Sequence, residues 1–186
     1  MSSVINSYAN AMAEHPFATN FATGACLAGL GDMICQELAI RGSGGRFVDV
    51  WDRRRTLNIA LIRALLIVPF IMAWYGHLGQ MFPGQEFGQL LKRVVMNELV
   101  GSPTMITLVF VGNALLRGDW SWINLKQRFR NEFFPTMKKG VSYWPLVHIL
   151  GTFRLPVMHQ PLFAHVASVY WNGVLSFHAH KGDKEH

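Results

Sequence analysis

Four stretches of this chain carry no Asp, Glu, Lys or Arg: residues 15–31, 64–85, 99–116 and 155–180, which are 17, 22, 18 and 26 residues long. A bilayer core of about 30 Å is crossed by roughly 20 helical residues. Four runs near that length in 186 residues are hard to bury in one water-soluble core. The competing architecture is a soluble bundle of very apolar helices. Average composition hides the pattern, since mean hydropathy is only +0.20. Charged residues make up just 15%, against about 25% in a soluble domain, and 51% hydrophobic content with six Trp and thirteen Phe excludes a disordered chain. The expected fold is all-α: a single integral membrane domain over residues 1–186, built as a four-helix transmembrane bundle.

The spans are expected at about 16–38, 58–78, 97–116 and 161–179. Pro16 opens the first, where its missing N–H is harmless, and the stretch 41–45 breaks it. Asp52, Arg53, Arg54, Arg55 and Thr56 form a charged approach to the second, and Pro83-Gly84 marks the following turn. Trp122, Leu125, Phe129 and Phe133 recur at helical spacing among Lys126, Arg128 and Arg130. This predicts an amphipathic interfacial helix over about 120–139, between spans three and four. Residues 141–156, with Pro145 and Gly151, are left as a span or a re-entrant piece. Cys26 and Cys35 lie nine residues apart, rotated about 900° along one helix. They suit neither a disulfide nor a zinc or redox pair.

Eleven cations fall in two loops: Arg41, Arg46 and Arg53–Arg55 in one; Arg117, Lys126, Arg128, Arg130, Lys138 and Lys139 in the other. Positive-inside logic places both termini together on the opposite face, with Lys92, Arg93, Lys181 and Lys184. The net charge of +6 then reads as orientation and contact with anionic headgroups of the lipid bilayer, not as nucleic-acid binding. A homo-oligomer is left open. Residues 1–14 hold no Lys or Arg and are not an Arg-rich presequence.

Ionisable groups inside spans mark pairs or pathways. Asp32 and Gln36 lie one turn apart on span one, continuing a small-residue stripe through Ala22, Ala25 and Gly29. They suit a helix-packing face or a pore lining. Arg63 of span two is expected at the depth of Asp32, predicting an Asp32–Arg63 pair. Asn97 and Glu98 open span three near the opposite surface, so Glu98 should not meet Arg63. Pro103 invites a kink. Gly101-Ser102 lacks the pattern around a serine nucleophile, and His148, His159 and His165 share no helical face. Thus no catalytic residue, no metal site, no cofactor and no enzyme activity are expected.

Tyr8, His15-Pro16, Thr19, Gly31-Asp32 and Gln36 form an opening block. Asp52, Arg54-Arg55-Thr56, Pro69 and Trp74-Tyr75 form a second, and Arg93, Asn97-Glu98 and Pro103 a third. Trp144-Pro145, Phe153, Pro156, Trp171-Asn172 and Leu175-Ser176 form the most specific block. Together these resemble the Mpv17 / peroxisomal membrane protein 2 and 4 family of small four-span organelle proteins, over about residues 8–177. The chain departs from that family by inverting its acid–amide pair at Asn97-Glu98, and by Arg93 in place of a Lys. Further departures are His148 in place of a Gln, Gly151-Thr152 near an Asn, Gln160 in place of an Arg, and Arg63 in place of a small residue. The resemblance implies a weakly selective channel or permeability modulator of the mitochondrial inner membrane or, alternatively, the peroxisomal membrane. In the mitochondrial branch it implies a part in mitochondrial homeostasis and mitochondrial DNA maintenance.

Overall fold

The computed structural model describes residues 2–41, 51–118 and 121–182, with 172–182 and a few other positions described by backbone alone. Arg46 and the Asn172 side chain therefore lie outside the described residues. Helices α1 (Ser2–Glu14) and α2 (Pro16–Arg41) are separated only at His15. Helix α3 runs Arg53–Met81 and α4 runs Phe87–Arg117. Helix α5 covers 122–150, two short 3₁₀ turns follow, and α6 is Gln160–Gly182. No strand occurs among the described residues.

Three helices contain a widened π turn, and each ends two residues before a proline. The turns are Arg63–Ile67 before Pro69, Asn97–Gly101 before Pro103, and Phe129–Phe133 before Pro135. A helical proline lacks its N–H and its ring presses on the carbonyl four residues earlier. One wider turn relieves both, with Val68 N–H bonding Arg63 C=O and Ser102 N–H bonding Asn97 C=O. The helices continue through, so Pro103 interrupts nothing. Asp52 caps α3 by accepting from Arg55 N–H at 2.9 Å, and α4 ends at Gly118, whose φ of +70° suits the left-handed cap.

Successive long helices run antiparallel. Gly29 faces Thr56 and Gly24 faces Val68 across α2–α3, while Gly112 faces Ile62 and Gly101 faces Trp74 across α3–α4. Phe129 meets Phe110 at 5.5 Å and His148 meets Asn97 at 3.0 Å across α4–α5. Tyr143 bonds the Ala167 carbonyl, and Gly151 packs on Phe163. Helix α6 therefore runs parallel to α2, with Gly24 on His165 and Gly31 on Val169.

Two sequence expectations change. The interfacial helix at 120–139 is not separate. It continues through residues 141–150 as α5, because Pro145 is tolerated inside the helix and the break comes at Gly151, where Phe163 leaves no room for a side chain. The third span starts ten residues early, so Lys92 and Arg93 lie within α4 rather than in a loop.

The core joins Ile62, Ile71, Tyr75, Leu78, Leu90, Val94, Phe153 and Ala164. Large apolar residues also cover the outside: Leu30 and Ile34 on α2, Leu57 and Leu65 on α3, Leu99 and Leu115 on α4, Leu146 and Leu150 on α5, Val166 and Tyr170 on α6. Helices α3 and α4 are long and apolar enough to cross a membrane, and only 28% and 17% of their most apolar windows are buried. A soluble bundle would bury those faces.

The seam on α2 differs from the expected stripe. Gly24, Ala28, Gly31 and Cys35 are buried, whereas Ala22 is exposed. A Cβ at Gly24 would sit 2.7 Å from Val68 Cγ2 and 2.9 Å from His165 Nε2. We expect Gly24→Ala to cost about 1–3 kcal/mol by overpacking. Gly76→Ala, which meets nothing within 4 Å, should gain about 0.5–1 kcal/mol in helix propensity. Thermal melting in detergent separates the two; equal melting points would refute the seam.

Candidate functional site

The polar residues of the helices sort into three places. At the end where α2 meets α3, Asp32 Oδ2 accepts from Gln36 Nε2 and from Thr56 Oγ1, both at 2.7 Å. Arg55 Nε pairs with Asp32 Oδ1 at 2.9 Å. Gln36 Oε1 accepts from the Asp52 N–H at 2.8 Å, and Trp51 Nε1 donates to Thr56 at 3.0 Å. The expected Asp32–Arg63 pair is thus replaced by Asp32–Arg55. The reason is register: Gly29 lies against Thr56, which leaves Arg63 seven residues, or about 10 Å, further along α3. This cluster joins two helices and their connection, with Asp32 Oδ1 held by the Arg55 ion pair alone.

At the other end, Arg93 is only 5% exposed. Its guanidinium donates to the carbonyls of Phe82, at 2.7 and 3.0 Å, Gly84 at 2.9 Å and Phe153 at 3.2 Å. It ties the α3–α4 turn to the segment after α5. Neither headgroup contact nor a carboxylate partner explains it; a buried cation here satisfies three carbonyls.

Between α3, α4, α5 and α6 lies a cavity of about 220 Å³, whose ionisable lining includes Arg63, Glu98, Tyr75 and His148. The two π turns place its charges: Arg63 opens one, and Asn97 and Glu98 open the other. Arg63 and Glu98 thus share one cavity, contrary to the expectation that they lie at opposite faces. Glu98 accepts from Ser102 Oγ at 3.3 Å and from Asn97 Nδ2 at 3.5 Å. Arg63 lies in electrostatic range of Tyr75 and His165, and has no acidic partner among the described residues. Trp144 and Trp171 line the same cavity, Trp171 stacked on Tyr143 at 4.9 Å. Pro145 lies inside α5, and Pro156 opens the second 3₁₀ turn.

Behind this lining, Asn97 is wholly buried. Its Oδ1 accepts from Trp74 Nε1 at 3.1 Å, and its Nδ2 lies 3.0 Å from His148 Nε2. His148 is held between Trp144 and Phe153 rings, at 5.7 and 4.9 Å, with Tyr75 edge-on. Ser102 bonds Glu98 rather than a histidine, and no cluster able to hold a metal ion occurs among the described residues. Asp32 and Gln36 lie outside the cavity lining.

Residues 114–176 match the Mpv17 / PMP22 family model. Similarity extends over nearly the whole chain to the rat "Mitochondrial inner membrane protein Mpv17", 27% identical over 94% of this chain and 96% of that protein. Protein SYM1 of Eremothecium gossypii is 28% identical over 95% and 96%. PXMP2/4 family protein 1 of Dictyostelium discoideum is 27% identical over 92% and 82%. The chain is thus similar to Mpv17, SYM1 and PXMP2/4 proteins over nearly its whole length. No solved structure matches it. The membrane named for the rat relative is consistent with the apolar outer surface of these helices, two of which are long and apolar enough to cross a bilayer.

Sequence reasoning named Arg93 and Thr56 but gave them no role in the bundle, and it did not foresee the Trp74–Asn97–His148 contacts. Thr56 carried a signal, four residues after the capping Asp52 in the first turn of α3. Arg93 carried none, because its partners are backbone carbonyls.

Proposed function

We propose that this chain is a multi-pass protein of the mitochondrial inner membrane acting as a weakly selective channel or permeability modulator for small polar solutes. The observation that carries this reading is the cavity between α3 and α6, into which two π turns bring one cation and one carboxylate. Ionisable groups inside a bundle are costly in hydrocarbon and belong where water or a solute reaches them. Exposed Lys138 and Lys139, beside the cavity residues Met137 and Gly140, give α5 a wet face at the same level. That face is where a second copy would pack in a homo-oligomer. The basic residues near the start of α5 contact anionic headgroups.

The antiparallel run of long helices supports five crossings in place of the expected four. With all neighbouring long helices antiparallel, α2 through α6 cross in alternation, and the C-terminal end joins the face that carries Arg53–Arg55 and Arg117. Tags at the two ends should be protected on opposite sides in sealed mitoplasts; protection on one side restores four spans. The relatives named as mitochondrial inner membrane proteins support the compartment, and a role in mitochondrial homeostasis and DNA maintenance follows as a consequence of altered permeability. The relative bearing a PXMP2/4 name favours a second reading, a peroxisomal membrane channel, and organelle fractionation decides between them. Purified protein in liposomes should conduct ions. Silence across voltage and pH would leave a non-conducting assembly factor instead.

A further inference from the structure

We infer that the Arg63–Glu98 cavity is a binding site for a small zwitterion of amino-acid type, its carboxylate held by Arg63 and its ammonium by Glu98. This deepens the reading of the cavity as the solute site and rests on it.

Three observations converge. First, the lining holds one guanidinium and one carboxylate, each lacking an oppositely charged protein partner among the described residues. Both side chains are half-buried, and a charge drawn partly out of water gains from an opposite partner. A simple anion would pair Arg63 and be repelled by Glu98; a simple cation would do the reverse. A dipolar molecule satisfies both. Second, the aromatic rings of Tyr75, Trp144 and Trp171 line the same space. Such rings favour an ammonium group and also cover an apolar side chain. His148, 2% exposed and lining the cavity, has Nδ1 without a partner, a further polar atom for the ligand. Third, about 220 Å³ equals roughly seven liquid-water volumes. That admits a molecule of roughly ten non-hydrogen atoms and excludes nucleotides or drug-sized ligands.

The test uses leucine with its two half-molecules, 4-methylpentanoate (no ammonium) and 3-methylbutylamine (no carboxylate), and the full-length protein in nanodiscs. Leucine should raise the melting temperature in a saturable way, and neither half-molecule should do so at equal concentration. Arg63→Gln should remove the leucine effect and let the amine bind; Glu98→Gln should remove it and let the carboxylate bind. Half-molecules as effective as leucine on the unmodified protein would overturn the inference, with no need for a variant to fold. Leucine binding equally tight in both variants would overturn it too. The outcome is separable from channel activity. Leucine binding in a protein that is silent in liposomes keeps the site and removes the channel. Ion conduction with no preference for leucine over its halves removes the site and keeps the channel.

Discussion

Arg93→Met should lower stability by about 3–5 kcal/mol, the larger of the effects expected from a single side chain. Methionine keeps much of the apolar stem but none of the donors. Each hydrogen bond from a charged donor contributes about 1.5–3 kcal/mol net, and Arg93 makes four, to three carbonyls. The Phe82 and Gly84 carbonyls lie at a turn and regain water, which holds the total below the simple sum. The Phe153 carbonyl does not, since that residue is fully buried. Arg93→Lys should recover only about half, because a single ammonium cannot span three carbonyls that the planar fork reaches at once. Melting of the three proteins in one detergent checks this. A methionine variant within about 0.5 kcal/mol of the parent would refute the bracing role.

Asn97→Leu should cost a similar amount, about 3–4 kcal/mol. Two buried partners lose their counterpart, Trp74 Nε1–H and His148 Nε2, and each orphaned buried polar group costs about 1–3 kcal/mol. A double-mutant cycle reads the contact itself. Asn97→Leu with His148→Phe removes both ends of it and should cost less than the sum of the two single losses. Additive losses would show that the two positions do not communicate.

That coupling explains two departures from the family pattern together. An amide at 97 and a histidine at 148 are a matched donor and acceptor. The acid, displaced by one position and about 100° around the helix, becomes Glu98 of the cavity. The sequence showed the inversion but not its consequence, because the partner lies 51 residues away.

What the sequence made legible was one-dimensional: the apolar runs, the helices, the breaks at residue 15 and at Gly84. Charge-free length was enough to see α3 and α4. It was not enough to orient α6. The amphipathic signal of Phe129 and Phe133 reads as an interfacial helix when considered alone, yet Phe129 meets Phe110 of α4, and the helix runs on past Pro145 to Leu150. Register was the other hidden quantity. Asp32 and Arg63 were legible as buried ionisable residues, but pairing them required an offset between α2 and α3 that periodicity does not carry. Small residues set that offset through Gly24 and Gly29, and they moved Asp32 to Arg55 and left Arg63 to the cavity. The cavity itself depends on the π turns, whose sequence trace is only a proline two residues later.

If the proposed channel conducts, the Arg63–Glu98 cavity, and not the Asp32–Gln36 cluster, governs what passes. This is tested most directly by the reversal potential of the reconstituted protein in a potassium chloride gradient. Glu98→Gln leaves Arg63 as the cavity's remaining charge and should move the reversal potential toward anion preference. Arg63→Gln should move it toward cation preference, and Asp32→Asn, whose site only joins α2 to α3, should leave it where it was. A shift caused by Asp32→Asn, with Glu98→Gln and Arg63→Gln both at the parental value, would contradict the account.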